Sequence, residues 1–525
     1  MDEAEPETPH APRRDRLLLA SVFAVATAGL VYELVSATMA SYLLGDSVTQ
    51  WSLVIGVYLT AMGLGSYLSK GIERDLHGRF VAIQLGVALV GGSSAALLFL
   101  GFAQLATVRP LLFGILGLVG TMVGLEIPLL LRILSEDSGG RSPALKDVVA
   151  RVLAFDYVGS LAASLLFPLL LLPRLGLVRT SLMFGLLNAA VALWFLRSFA
   201  EQVGALARRR AMAWATASVL AVAFWFAPQI EHFGEAELYE APVVLSQRTP
   251  YQRLTLTRWR DDLRLYIDGN LQFSSVDEHR YHEALVHPVL ALAPLRSEGL
   301  RVLVLGGGDG LALREILGDP RVASIDLVDL DPGMTALFST HPVLVELNRG
   351  SLVDPRVRLH NADAMEWLVE LGAAEAGFDV AIVDLPDPNN FSLGKLYTRA
   401  FYRLLTTRLA DDAVMVVQST SPYLAPQAYW CIVRTLAASG LNVLPYHVHV
   451  PSFGDWGYVL ASPRAIDPPQ RLAPGIPHRF ITDELLPALF VFPADQRPPD
   501  VGINQLNDQL LVHYYEADLA AGRRG

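Results

Sequence analysis

Hydrophobic and polar positions divide the chain into two halves of different character. Up to about residue 230, apolar runs of membrane-spanning length recur at 17–43, 50–69, 80–104, 108–133, 148–173, 175–197 and 212–230. A spanning helix needs roughly twenty such residues, so the pattern predicts an α-helical transmembrane bundle of about seven helices over 17–230. Because little more than Pro173-Arg174 separates the fifth and sixth runs, we expect a tight hairpin there.

Beyond residue 230, polar positions interrupt the apolar ones at short intervals. Residues 231–275 are predicted to hold a linker, up to about residue 250, and a small β-element. In that element Arg253–Trp259 and Leu263–Ile267 alternate apolar and polar side chains, which is typical of a β-hairpin. From 276 to 465, strands alternate with helices, which predicts a doubly wound, Rossmann-like α/β domain whose ligands bind at the carboxyl ends of parallel strands.

The last segment, 466–525, is rich in proline at its start. We expect a C-terminal extension whose two short apolar segments, Leu485–Val491 and Leu506–Tyr515, dock against the membrane half or a second subunit. A homo-oligomer is left open.

Basic residues in the first half are unevenly distributed between the loops. One set of loops carries Arg13, Arg14, Arg16, Lys70, Arg74, Arg79, Arg132, Arg141, Lys146, Arg151, Arg197, Arg208, Arg209 and Arg210, and the alternate set carries only Arg109, Arg174 and Arg179. The positive-inside rule predicts a cytoplasmic N-terminal tail, 1–16. Seven spans would then place the second half outside, unless the seventh and shortest run does not cross.

Three carboxylates lie inside the apolar runs, at Glu33, Glu126 and Asp156. Acids within a bilayer are costly and often functional, which suggests a path for a cation. Interhelical hydrogen bonding is the alternative explanation and the one we favour.

Composition narrows the class of ligand. The net charge of −11 argues against a nucleic-acid partner and is compatible with a cationic one. The single cysteine, Cys431, rules out an intrachain disulfide and a cysteine-based metal site.

A glycine-rich turn is the strongest local motif. Arg301–Leu305 predicts a buried strand, Gly306–Gly310 follow it, and Ile325–Asp329 ends in a carboxylate about twenty residues further on. Glycines such as Gly306 and Gly308 let backbone N–H groups approach a ligand, and the carboxylate can bind ribose hydroxyls. Polar side chains at the predicted strand ends are Asp309, Asp329, Asp363, Asp384 and Gln418.

Residues 242–465 resemble the spermidine synthase (polyamine aminopropyltransferase) family, and the whole chain resembles its membrane-bound bacterial members. The resemblance is carried by Tyr251-Gln252, Asp268-Gly269 with Gln272, Asp277-Glu278 with Tyr281-His282-Glu283, Gly306–Gly310 with Leu313-Arg314-Glu315, Asp329-Leu330-Asp331, and Asp384 with Asp387-Pro388.

The resemblance implies an S-adenosylmethionine-type fold and transfer of an aminopropyl group from decarboxylated S-adenosylmethionine to an amine, with release of methylthioadenosine. It implies no metal and no permanently bound cofactor. Implied nucleoside-binding residues are Gln252, Gly306, Gly308, Asp309, Asp329, Asp363 and Ala364, and implied amine-binding residues are Tyr281, His282, Asp309, Asp384, Asp387 and Gln418.

Asp384 is the expected general base. The acceptor must attack as a neutral amine, and removing its proton at pH 7 costs roughly 4 kcal/mol, so a carboxylate beside the ammonium would both position it and take the proton. Asp309 would face the primary amine of the aminopropyl arm, where ordinary S-adenosylmethionine carries a carboxylate that Asp309 would repel.

Departures from the family pattern leave the acceptor open. Leu385-Pro386 replaces small residues, and the substrate loop is shortened to Pro451-Ser452-Phe453, so an amine-binding tyrosine is missing there. Putrescine is the expected acceptor, with agmatine, cadaverine and spermidine as alternatives. Two other functions stay open, a polyamine transporter or sensor that binds ligand without turnover and an S-adenosylmethionine-dependent methyltransferase. The expected location is the bacterial inner membrane, with the lipid bilayer as a partner.

Overall fold

The computed structural model describes residues 11–44, 47–104, 108–137, 145–236, 239, 241–372 and 377–522. The chain forms two compact units, Met1–Glu240 and Ala241–Gly525. Residues 1–10 of the predicted tail and Arg141 lie outside the described residues, whereas residues 11–16 already belong to the first helix.

The described residues of the first unit form helices joined by short turns. Its helices are α1 (Ala11–Leu44), α2 (Ser47–Leu68), α3 (Leu76–Gln104), α4 (Arg109–Asp137), α5 (Leu145–Leu166), α6 (Leu172–Ser198), α7 (Leu206–Trp225) and α8 (Ala227–Ala236). Glycines allow close packing between α2 and α4, since a Cβ at Gly65 would lie 2.0 Å from the Thr121 carbonyl oxygen and one at Gly124 would lie 2.1 Å from that of Met62.

Fewer segments could cross a membrane than the seven predicted. Among the described residues, five helical stretches are long and apolar enough, namely Leu18–Ser41, Gln50–Gly71, Leu76–Phe102, Arg109–Ser135 and Lys146–Ser198. The predicted fifth and sixth runs lie together in the last of these stretches, Lys146–Ser198. Within it the backbone leaves the helical conformation at Gly176, with φ 74° and ψ −176°, close to the hairpin predicted at Pro173-Arg174.

Of the three acids within the apolar runs, Glu126 has a clear partner. Gln84 Nε2 on α3 donates to Glu126 Oε1 on α4 at 2.8 Å, and Glu126 is only 1% exposed. This contact is the interhelical hydrogen bond that the sequence left as an alternative. Glu33 and Asp156 are partly buried.

The second unit begins with a four-stranded antiparallel meander of β1 (Val243–Arg248), β2 (Arg253–Trp259), β3 (Asp262–Ile267) and β4 (Asn270–Ser274). The predicted hairpin is therefore present. β1 falls within the segment predicted to be a linker, because this mostly exposed edge strand has too few apolar positions to show a period of two.

The main sheet has seven strands in the order β10-β11-β9-β8-β5-β6-β7. They are β5 (Leu300–Gly306), β6 (Val322–Asp329), β7 (Val357–Asn361), β8 (Phe378–Asp384), β9 (Leu409–Gln418), β10 (Asn442–Val450) and β11 (Gly454–Ser462). Strands β5 to β9 pair in parallel, whereas β11 is antiparallel to both of its neighbours. The chain leaves β5 in one direction to β6 and later returns to its other side at β8, which creates a crevice at the carboxyl ends of these strands.

Helices cover the sheet. They are α9 (Glu278–Ala291), α10 (Leu311–Ile316), α11 (Pro332–Thr340), α12 (Pro342–Asn348), α13 (Ala364–Glu370), α14 (Phe391–Gly394), α15 (Arg399–Thr406), α16 (Pro426–Ala438) and α17 (Leu510–Gly522). The helices α11 and α12 are separated at His341, because the residue before a proline is pushed out of the helical region.

The C-terminal extension packs into this second unit. Leu486 and Leu489, from the first of its two predicted docking segments, join the core that lines β5, β6 and α9, and Leu511, from the second, joins the core on the other side of the sheet. The Glu283 carboxylate fastens the extension by accepting hydrogen bonds from the backbone N–H groups of residues 479, 480 and 481 at 2.7–2.9 Å.

Candidate active site

The glycine turn after β5 brings two of the predicted carboxylates together. Gly306 and Gly307 have φ of 84° and 67°, and a Cβ at Gly306 would lie 2.1 Å from the Asp384 carbonyl oxygen. A Cβ at Gly308 would lie 2.5 Å from Asp329 Oδ2, and the Gly308 N–H donates to that oxygen at 3.0 Å. Asp329 and Asp384 therefore lie on either side of a turn that only glycine can form.

Asp329 ends β6 with both carboxylate oxygens on backbone donors. Oδ2 accepts from Gly308, and Oδ1 accepts from the Asp331 N–H at 2.9 Å. Burial raises the pKa of Asp329 to about 6, because it outweighs those two hydrogen bonds. Each oxygen keeps a second lone pair that can accept from a ligand hydroxyl.

Gln252 lies beside Asp331. Its Nε2 donates to Asp331 Oδ2 at 2.8 Å, and Thr249 Oγ1 donates to the same oxygen at 2.8 Å. The small β-sheet is thereby attached to the end of β6, next to Asp329.

Asp309 lies one turn further along the chain. Its Oδ1 accepts from the Leu311 N–H at 2.9 Å at the start of α10, and within the described residues its Oδ2 has no hydrogen-bond partner. Burial raises the pKa of Asp309. Asp309 thus binds the first N–H of α10 with one oxygen and can offer the other oxygen to a ligand.

Asp384, at the end of β8, is bound by a tyrosine of α9. Tyr281 Oη donates to Asp384 Oδ1 at 2.6 Å. Burial, offset in part by the His282 charge and reinforced by the Asp309 charge, raises the pKa of Asp384 to about 6. The site therefore holds a carboxyl group whose pKa lies close to neutrality.

A buried ion network supports the next residue on α9. His282 Nδ1 donates to the Glu278 carbonyl oxygen at 2.8 Å and to Glu278 Oε2 at 2.9 Å. Arg314 donates from both Nη atoms to the same carboxylate, at 3.0 and 2.9 Å. Although burial opposes both charges, the pKa of His282 is raised to about 8 and that of Glu278 is lowered to about 2 by this pairing. His282 is thus a cation whose charge stabilises the Asp309 and Asp384 carboxylates.

Asp387, three residues beyond Asp384, accepts three side-chain hydrogen bonds. Gln418 Nε2 donates to Oδ1 at 3.1 Å, Thr420 Oγ1 to Oδ2 at 3.4 Å and Tyr515 Oη to Oδ2 at 2.8 Å. Gln418 had been predicted here from its strand end. Tyr515 had not, because it lies 128 residues further on in the extension and no local motif marks it.

Asp363 and Ala364 lie at the start of α13, after β7. Asp363 Oδ1 caps the helix through the Met365 and Glu366 N–H groups at 2.9 and 3.2 Å, and Lys395 Nζ donates to Oδ2 at 2.6 Å. Although burial opposes the shift, Lys395 and the backbone donors lower the pKa of Asp363. No sequence motif marks Lys395 as part of this site.

Aromatic rings surround Tyr281. The ring centroids of Tyr458, Phe453 and Trp456 lie 5.6, 6.1 and 6.3 Å from that of Tyr281. Trp456 Nε1 is buried without a hydrogen-bond partner among the described residues. Phe453 and Trp456, from the shortened loop and the start of β11, were also missed by the sequence analysis.

Comparison with known proteins fits this geometry. Residues 278–467 match the spermine/spermidine synthase domain. The chain is 51% identical over 514 residues, 96% of its length and 98% of the relative's, to polyamine aminopropyltransferase 2 of Ralstonia nicotianae. It is 47% identical over 505 residues, 95% of its length and 98% of the relative's, to the polyamine aminopropyltransferase of Leptospira interrogans.

Similarity of this extent across nearly the whole chain defines an enzyme class. The protein is a transferase of the polyamine aminopropyltransferase type. The chain belongs to the spermine/spermidine synthase family, as its motifs indicated. Among solved structures, the crystal structure of spermidine synthase from Thermotoga maritima matches 48% of this chain and 84% of its own, with 24% identity and a TM-score of 0.42.

Proposed function

We propose that the protein transfers the aminopropyl group of decarboxylated S-adenosylmethionine to putrescine or a related amine, with Asp384 as the general base. The observation that carries this proposal is the partly buried Asp384 carboxyl, bound by Tyr281 at 2.6 Å and with its pKa raised to about 6. A cation–carboxylate contact would hold the acceptor, and the same carboxylate would take its proton as the nitrogen attacks.

The raised pKa of Asp384 makes proton transfer from the acceptor ammonium less costly. An alkylammonium has a pKa of about 10, so proton transfer to an ordinary aspartate is uphill by about 8 kcal/mol. A pKa of about 6 in place of the usual 3.8 lowers that difference by about 3 kcal/mol. Tyr281 and His282 keep the carboxylate ionised enough to bind the ammonium beforehand.

The nucleoside would bind across the glycine turn. Asp329 would accept the ribose hydroxyls with its remaining lone pairs, next to the backbone of Gly306 and Gly308, and Gln252 would hold the nucleoside from the β-sheet side. Asp309 Oδ2 would accept from the ammonium of the aminopropyl arm. Asp363 would accept from the adenine amino group, which requires Lys395 to leave Oδ2.

The bond changes at the sulfonium require no catalytic group other than the base. The acceptor nitrogen forms a bond to the aminopropyl carbon, the carbon–sulfur bond breaks, and the electron pair stays on sulfur as a neutral thioether. The proton lost by the nitrogen goes to Asp384. Positioning and electrostatics therefore supply most of the catalysis.

Mass spectrometry of products tests the proposal. Purified full-length protein receives decarboxylated S-adenosylmethionine and a panel of di- and polyamines, and we expect an aminopropylated amine and methylthioadenosine in equal amounts. Asp384→Asn should lose at least about a hundredfold in kcat. Asp411→Asn is the matched control, because Asp411 lies exposed near the opposite end of β9. Full activity of Asp384→Asn would exclude its role as base.

We further propose that the enzyme is anchored in the bacterial inner membrane by six crossings. The break at Gly176 would divide Lys146–Ser198 into two spans. Helix α7 would not cross, because it carries Arg208, Arg209 and Arg210 in its first turns. With a cytoplasmic N-terminus, an even number of spans places residues 241–525 in the cytoplasm, where S-adenosyl compounds are made. Reporter fusions at the C-terminus test this topology, and a periplasmic signal would refute it.

A further inference from the structure

The C-terminal helix reaches the proposed amine site through one side chain. Tyr515, on α17, lies 48 residues beyond the end of the matched synthase domain and donates to Asp387 Oδ2 at 2.8 Å. Burial, and then the Asp387 charge, raise the pKa of Tyr515 well above its usual value. The phenol therefore keeps its proton and acts as a donor to the carboxylate.

The position of α17 is fixed by contacts that do not involve Asp387. Asp518 Oδ2 accepts from the Gln427 and Ala428 N–H groups at 2.8 and 3.1 Å, so α17 caps the start of α16. The Gly502 N–H donates to the Tyr514 hydroxyl at 3.1 Å, and Leu511 and Val512 are 0% and 1% exposed. Tyr515 is consequently held at Asp387 by the fold of the extension.

The Asp387 carboxylate and the Tyr515 hydroxyl together can bind an ammonium group. A carboxylate has about four lone-pair positions, and Gln418, Thr420 and Tyr515 use three of them at Asp387. While Tyr515 donates its proton, its oxygen keeps a lone pair that can accept. One remaining position on Asp387 and one on Tyr515 could therefore bind two of the three N–H donors of an ammonium.

We propose that Tyr515 is a positioning residue of the amine site, which orients Asp387 and accepts a hydrogen bond from the far ammonium of a diamine acceptor. This inference rests on the proposed function and adds the C-terminal helix to its acceptor site. The substrate class it selects is an amine with a second cationic nitrogen, because a monoamine has no group to place between Asp387 and Tyr515.

Tyr515→Phe tests the inference with Tyr514→Phe as the matched control. The control removes a hydroxyl from the same helix, but one that contacts Gly502 and not Asp387. We expect Tyr515→Phe to raise the KM for the diamine about tenfold or more, as for loss of a hydrogen bond to a charged group. Its kcat should stay within about twofold, because binding of the far ammonium is the same in ground and transition states. The KM for the nucleoside should not change.

A monoamine of equal chain length gives a second readout. The ratio of kcat/KM for diamine over monoamine should fall about tenfold in Tyr515→Phe and stay constant in Tyr514→Phe. Both KM and this ratio are independent of the fraction of folded enzyme, so a partly unfolded variant still gives an answer.

Three results would overturn the inference. They are an unchanged diamine KM, an equal rise in Tyr514→Phe, or a loss confined to kcat. If the wild-type protein forms no aminopropylated product, the proposed function fails while the inference remains open to test. Calorimetric titration of the diamine into the wild type and both variants would then decide it, since Tyr515→Phe alone should weaken binding.

Discussion

Removal of one hydroxyl should shift the pH dependence of the enzyme. Tyr281→Phe keeps the ring among Phe453, Trp456 and Tyr458 but deletes the hydrogen bond to Asp384 Oδ1. That bond stabilises the ionised carboxylate, so its loss should raise the pKa of Asp384 further above the present value of about 6.

The geometry sets the magnitude. A hydrogen bond of 2.6 Å to a buried carboxylate is expected to contribute about 1.5–3 kcal/mol, which corresponds to a pKa rise of about 1–2. The acid limb of kcat/KM for the amine should therefore move from about pH 6 to about pH 7 or higher. At pH 6.5 the ionised fraction, and with it the rate, should fall about threefold for a pKa of 7, whereas above pH 8.5 the defect should disappear.

The assay is methylthioadenosine release between pH 5 and 9 with the nucleoside saturating. Saturation removes the titration of Asp329, whose pKa is also raised to about 6, from the amine profile. Tyr458→Phe is the control, because its hydroxyl donates to the Tyr281 backbone oxygen at 3.1 Å and not to the carboxylate. An acid limb that stays at the same pH in Tyr281→Phe, or that moves equally in Tyr458→Phe, would refute the reasoning.

Further predictions concern the nucleoside pocket and the ion network. Gly308→Ala should raise the nucleoside KM by more than about tenfold and leave the amine KM unchanged, because the added Cβ would lie 2.5 Å from Asp329 Oδ2. A nucleoside KM equal to that of the wild type would show that the turn can shift. Lys395→Met should lower the nucleoside KM a few-fold, since Lys395 occupies Asp363 Oδ2 at 2.6 Å, and a higher KM would mean that Lys395 itself contacts the nucleoside. In the folded protein His282 has a pKa of about 8, above its ordinary 6.5. The stability that protonated His282 adds to the fold is therefore complete below pH 6.5 and is lost as the pH rises through 8. The thermal unfolding temperature should accordingly fall between pH 6.5 and 8.5, and His282→Gln should abolish that decline; a decline of equal size in the variant would assign it to other groups.

Much of the α/β unit could be predicted because its signals are local. Arg301–Leu305 and Phe378–Asp384 are apolar runs bounded by glycine or acid, and both are strands of the parallel sheet. Parallel pairing brings strand ends to one edge, so the sequence alone could place Asp329, Asp384 and Gln418 there.

Contacts distant in sequence could not be predicted in this way. Lys395 reaches Asp363 across 32 residues, and Tyr515 reaches Asp387 across 128. Neither side chain lies in a motif, and hydrophobic periodicity does not show which polar group a helix presents to a distant carboxylate. The span count differs from the prediction at the end of the first unit, because the fifth and sixth runs lie in the single stretch Lys146–Ser198 and the seventh, 212–230, is not among the five stretches found in the described residues.

The balance of charge at the strand ends explains why the site should prefer a cationic group on each of its two substrates. Burial raises the pKa of the Asp309, Asp384 and Asp387 carboxyls, and the charge of His282 at Asp309 and Asp384 and that of Arg314 at Asp309 offset part of the rise. One imidazolium does not neutralise three carboxylates, and Arg314 is already paired with Glu278. An ammonium beside Asp309, one beside Asp384 and one between Asp387 and Tyr515 would therefore each lower the electrostatic free energy of the site. A carboxylate on the nucleoside's side chain would raise it. The same acids that would bind the amines would therefore exclude ordinary S-adenosylmethionine, and selectivity between the two nucleosides would need no separate residue.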